Sequence, residues 1–213
     1  MKLPDIFLPT TAVVLADGAY PSAAPVAGIL RAAPWVVCCD GAADKFISRG
    51  GTPAAIVGDC DSVSAQVRER YASLIHASPD QQSNDLTKAV GFCLANGRKD
   101  IVILGATGLR EDHTIGNISL LADYTEQAEV MMVTDYGVFT PMQGRQRLKS
   151  FPGQQVSVFA LDPNAELWYE GLLYELPGSK ATSWWQGTLN QSLGDSFVIH
   201  SEGKAIVFRS FEK

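Results

Sequence analysis

The chain has 213 residues, room for one large domain or two small ones, and its 46% hydrophobic and 19% charged content suits a core buried without staples. A formal net charge of −6 excludes a broad basic surface for nucleic acid. Any polyanionic ligand must be met locally, by metal ions, backbone N–H groups and a few cations.

No apolar run approaches the roughly 18 residues that a membrane span needs. The opening stretch carries Lys2 and is broken by Pro4, Asp5 and Pro9, which makes a poor signal peptide. Cys38, Cys39, Cys60 and Cys93 lack zinc-site spacing and read as small buried hydrophobes in a reducing compartment. A cytoplasmic location is expected.

Short apolar runs at 11–15, 35–39, 54–57, 101–104 and 130–133 have the composition of strands covered on both faces. Several end in a glycine or polar cluster: Ala16-Asp17-Gly18, Asp40-Gly41, Gly58-Asp59 and Gly105-Ala106-Thr107-Gly108. Helical patterns lie between them, at 85–94 and 114–124. This alternation predicts a mostly parallel, Rossmann-like α/β sheet whose right-handed crossovers gather the loops after the strands along one edge. After Gly144 the texture changes. Strand-like runs at 155–161, 167–176, 183–189, 196–200 and 205–211 predict a C-terminal antiparallel β-sandwich, with a hairpin turn at Ser201-Glu202-Gly203-Lys204. The expected domains are 1–143 and 144–213.

Four loops could carry chemistry. Asp40-Gly41-Ala42-Ala43-Asp44 is either a plain strand-to-helix turn or a close approach for a ligand. In Gly58-Asp59-Cys60-Asp61-Ser62 the two carboxylates are two residues apart and face one way if the segment is extended. They repel unless a hard cation such as Mg²⁺ sits between them, or the turn is simply solvated. Asp85 and Lys88 share a face at a helix start, as a surface ion pair or as a metal-and-phosphate pair. In Gly105-Ala106-Thr107-Gly108-Leu109-Arg110-Glu111-Asp112-His113, glycines, a cation and a helix N-terminus make a plausible phosphate cradle. His113 and Asn117 share a face of that helix. Random turns would not supply acids at equivalent ends of one sheet.

Taken together, in order, these segments and Asp80-Gln81 resemble the thiamine pyrophosphokinase family over nearly the whole chain. Tyr169 to Leu176 and Gly187-Thr188-Leu189-Asn190 extend the resemblance; Leu189 stands where serine is usual, and Asn190 is carried over.

The resemblance implies an enzyme that moves diphosphate from ATP to the hydroxyl of thiamine, with Mg²⁺ held by Asp59, Asp61 and Asp85. Lys88, Arg110 and Asp112 would join them in catalysis. Asp40, Gly41, Gln81, Gly105, Gly108, His113, Asn117 and Asn190 would bind ligands. It also implies a homodimer with active sites at the subunit interface, the first domain for ATP and Mg²⁺, the second for thiamine and dimerisation. Trp184 and Trp185 read as core or dimer packing more than as ring-stacking residues.

Overall fold

The structure, a computed structural model, describes residues 11–80 and 82–211. Gln81 therefore lies outside the described residues. The chain divides into two compact units, 11–120 with 126–135, and 121–125 with 136–211, among the described residues.

The first unit is a parallel sheet of β1 (Ala12–Leu15), β2 (Val36–Cys39), β3 (Ala55–Gly58), β4 (Ile75–Ala77), β5 (Asp100–Leu104) and β6 (Glu129–Thr134). The strand order is β6-β5-β1-β2-β3-β4, and every pairing in it is parallel. β1, β2 and β3 are buried at every position, as their unbroken apolar runs require. β4 was not foreseen: Ile-His-Ala is too short and too exposed to leave an apolar run.

The helices are α1 (Ala24–Ala32), α2 (Ala42–Ile47), α3 (Ala65–Arg70), α4 (Asp85–Ala95) and α5 (Glu111–Tyr124). α4 shows why such a segment folds as it does. Leu86, Ala89, Val90 and Cys93 form one buried stripe, and the Asn84 side chain accepts the Thr87 N–H at 2.9 Å to cap the helix. The chain runs outward from β1 to β4 and returns to the other side of β1 with β5. The strand order thus reverses between β1 and β5, where the loops after the strands leave a crevice.

The second unit is antiparallel: β7 (Gly137–Lys149), β8 (Gln155–Ala160), β9 (Glu166–Glu170), β10 (Leu176–Lys180), β11 (Asn190–Gln191) and β12 (Ser196–Ser210). β12 pairs with β7 along its length. Its other edge takes β9 at Val198–Ser201 and β8 at Ala205–Arg209. Changing partner midway folds the strands over a core that includes Leu167, Leu172, Phe197, Ile199 and Val207.

Four local expectations are corrected here. Ser201–Lys204 is no hairpin turn but a register shift within β12, where the Ser201 hydroxyl donates to Gly203 O at 2.7 Å and pairing resumes at Ala205. Residues 183–189 are not a strand; Trp184–Gly187 form a 3₁₀ turn closed by a capping box of Ser183 and Gln186. The run 167–176 breaks at Gly171, whose φ of 80° ends β9 before β10 begins. The expected boundary at 143–144 falls inside β7, because pairing with β12 carries the strand through Pro141 and Gly144. Of the two tryptophans, Trp184 donates its indole N–H to Ala160 O at 3.0 Å and packs edge-on to Phe159, whereas Trp185 is 74% exposed.

Phe197 is fully enclosed in this core. Phe197→Ala should cost roughly 3–5 kcal/mol of stability through lost burial and the cavity left behind, measured by urea unfolding against wild type.

Candidate active site

The loops after β1, β2, β3 and β5, with the first turns of α4 and α5, line a cleft of about 550 Å³ within the first unit. Asp40, Asp59, Asp61, Asp85, Lys88, Arg110, His113 and Asn117 all line it.

The acids are unequally exposed. Asp40, just past β2, has a left-handed φ of 40° and is buried, and its Oδ1 has no hydrogen-bond partner among the described residues. Burial raises its pKa; hydrogen bonding from Ser62 opposes that rise, and the charges of Asp85 and Asp59 add to it. Asp59 and Asp61 are exposed, and carboxylate oxygens of Asp40, Asp59 and Asp61 lie within 4.8 Å of one another. Asp59 and Asp61 face the same way for a different reason than a strand's pleat. The segment turns, with Cys60 at φ 61°, and Asp59 Oδ1 accepts the Asp61 N–H at 3.4 Å.

Asp85 stands beside this trio. Gly58 is what lets it come near, since a Cβ there would lie 3.2 Å from both Asp40 Cβ and Asp85 Oδ1. Asp85 Oδ1 pairs with Lys88 Nζ at 3.1 Å, and the lysine side chain is only 7% exposed. This is a half-buried pair facing a cleft, not the surface pair that the spacing equally allowed.

On the opposite side Arg110 grips Asp112, Nε to Oδ1 at 3.1 Å and Nη2 to Oδ2 at 2.5 Å, with both side chains well exposed. The Arg110 fork, helped by the His113 N–H, holds the Asp112 carboxyl down at about 2. Asn117 is a brace: its amide donates to Ala106 O at 2.9 Å and accepts from Asn84 at 3.2 Å, tying α5 to the loop after β5 and to the cap of α4. Gly105 and Gly108 have φ of 67° and 86°, and a Cβ on either would come within 2.7 Å of Ala16 O or Ala19 Cβ. A Cβ on Gly41 would lie 2.9 Å from Asp17 Oδ2. These three glycines let neighbouring loops close on one another.

Asn190 belongs to the second unit. Its amide is engaged with backbone, accepting from Tyr174 N–H at 3.0 Å and Gln191 N–H at 2.8 Å and donating to Tyr174 O at 2.7 Å.

Reading the sequence overlooked Asp17. It lines the cleft and pairs with Lys45 at 2.8 Å, and Lys45 also donates to the carbonyls of Asp17 and Gly18. The signal was present in Ala16-Asp17-Gly18 at the end of a strand. Asn84, which lines the cleft and donates to Asn117, was not singled out either.

An unpartnered, buried carboxylate oxygen beside two more carboxylates is a donor set for a hard divalent cation, and its oxygens are the ligands Mg²⁺ prefers. Residues 26–133 match the family described as thiamin pyrophosphokinase, catalytic domain. The chain belongs to the thiamin pyrophosphokinase family. Residues 137–208 match the family's substrate-binding domain, so the two matches meet where the two compact units divide.

Among similar proteins are thiamin pyrophosphokinase 1 of Caenorhabditis elegans, 32% identical over 112 residues, covering 48% of this chain and 46% of that one. Thiamine pyrophosphokinase 1 of Oryza sativa subsp. japonica is 36% identical over 97 residues, 41% and 37% of the two chains. The matched stretch thus spans about half or less of those curated relatives. The fold is that of thiamin pyrophosphokinase from Candida albicans, with a TM-score of 0.81, 18% identity, and coverage of 95% of this chain and 90% of that one. The corresponding structure from Bacillus subtilis gives 0.80, 19%, 95% and 100%.

Replacing Asp40 by Asn removes one charge from a crowded acidic group. Asp40→Asn should raise the melting temperature in EDTA by about 2–4 °C, equivalent to about 1 kcal/mol, and should reduce the further rise on adding Mg²⁺. Paired thermal scans with and without the metal measure both effects.

Proposed function

We propose that this chain is a thiamine diphosphokinase, transferring diphosphate from ATP to the hydroxyl of thiamine and releasing AMP. The observation that carries the reading is the convergence of Asp40, Asp59 and Asp61 beside the Asp85–Lys88 pair in one cleft at the loop edge of a parallel sheet. Family membership supports thiamine as the substrate, since the relatives are named thiamine pyrophosphokinases. Mg²⁺ is the proposed cofactor. Asp40, Asp59 and Asp61 would hold it, with Asp85 beside them, and when bound it would neutralise charge on the triphosphate.

In the transfer, a bond forms from the thiamine hydroxyl oxygen to the β-phosphorus while the bond from that phosphorus to the α-phosphate's bridging oxygen breaks; AMP leaves with that oxygen, and the hydroxyl proton is released to water. Little covalent work falls to the protein, whose task is alignment and charge. Lys88, fixed by Asp85, presents an ammonium to phosphate oxygens. Arg110 offers a planar fork to the same anion, and Asp112 holds that fork ready while sacrificing its own basicity.

A homodimer is part of the proposal. Its support is the second unit's outward-facing apolar residues Leu173, Tyr174, Trp185 and Leu189, each more than half exposed. A cytoplasmic location is also proposed, and the four free, buried cysteines suit a reducing compartment. Among the described residues no helix is long and apolar enough to cross a membrane. In the second unit, thiamine recognition is proposed from the match to the substrate-binding domain.

Incubation with ATP, Mg²⁺ and thiamine should yield AMP and thiamine diphosphate in equal amounts, with no AMP when thiamine is omitted. Asp59→Asn and Asp61→Asn should each lower kcat by at least about 10²-fold, the scale of losing one preorganised electrostatic contribution. Their circular dichroism and melting temperature should match wild type. Full turnover in both variants would remove the metal role.

A further inference from the structure

The turn that carries Asp59 and Asp61 is not made by regular secondary structure. It follows β3, passes through Cys60 in the left-handed region, and reaches α3 only at Ala65. A non-glycine residue at that φ persists only where the surroundings hold it. Two fastenings do so. At the far end, Asp44 in the first turn of α2 accepts both the N–H and the hydroxyl of Ser64. Within the turn, one side chain gathers the backbone: Arg68 donates from Nε to Val63 O at 2.9 Å, and from Nη2 to Asp61 O at 3.0 Å and to Cys60 O.

We propose that Arg68 is a positioning residue for the divalent-cation site, holding the 60–63 backbone in the turned form that aims Asp59 and Asp61 at Asp40. This rests on the cation reading of the cleft given above. Arg68 donates only to main-chain carbonyls in these contacts and so leaves the carboxylates free to act as ligands. A planar fork can serve several carbonyls in fixed directions, where an ammonium acts as a point donor.

Two effects of Arg68 on cation binding have opposite signs, and this makes the role testable. Its positive charge, close to the acids, opposes a bound cation, so neutralising it by itself should tighten binding. Its hold on the backbone preorganises the ligands, so removing it should weaken binding. The geometry points to the second effect as the larger, because three contacts on consecutive turn segments are lost together.

The experiment is Mn²⁺ titration of the full chain without nucleotide, following the free-ion electron paramagnetic resonance signal, for wild type, R68Q and R68K. Melting temperatures in EDTA are recorded for each. R68Q should bind Mn²⁺ roughly 10–100-fold more weakly than wild type, the range for losing a group that orients metal ligands. R68K keeps the charge without the fork and should recover only part of that loss. Equal or tighter binding by R68Q, or wild-type binding by R68K, would overturn the positioning role while leaving the cation site intact. If R68Q does not fold, R68K decides alone by the same criterion. Absence of Mn²⁺ binding by wild type would instead defeat the cation reading itself, and this proposal with it.

Discussion

Like charges held close together are the constraint around which the rest of the first unit is arranged. Oxygens of Asp40, Asp59 and Asp61 sit within 4.8 Å of one another. At an effective dielectric of ~20, two unit charges about 5 Å apart repel by about 3 kcal/mol, less where water reaches them. Asp40 is sheltered from that water, and one of its oxygens has no hydrogen-bond partner among the described residues. The proposed divalent cation would offset this repulsion.

The surrounding contacts make sense as the means of keeping this arrangement in place. Asp44 links the turn after β3 to α2, the helix that follows Asp40, so two of the acidic loops are joined. Asn117 joins α5, the loop after β5 and the cap of α4. Lys45 joins α2 to the loop after β1. Each contact joins segments that belong to different strand–helix units or to a helix and the loop before it. The cations Lys88 and Arg110 are each held by an acid of their own, Asp85 and Asp112, which sets their direction.

Much of this was readable residue by residue. Buried parallel strands leave unbroken apolar runs, and α4 shows its apolar stripe in plain spacing. The second unit was harder. Ser201-Glu202-Gly203-Lys204 has the composition of a turn, yet a bulge uses the same residues, since both need polar, permissive backbone. Trp184 to Gly187 has the apolar content of a strand, and only the Ser183–Gln186 capping box and the Trp184 contact with Ala160 make it a turn. The choice depended on long-range partners.

By itself, the sequence determined that acids and cations end successive strands of a parallel sheet, because loop composition is local and crossover handedness is general. It also determined the family, through motifs in fixed order. Tertiary structure alone decided which carboxylates share a site, that Asp40 is the buried one, that Lys88 is enclosed, and that Asp112 is spent on Arg110. The physical reason is that charge, burial and pKa depend on neighbours brought together through space, and a spacing of two or three residues says nothing about what arrives from fifty residues away.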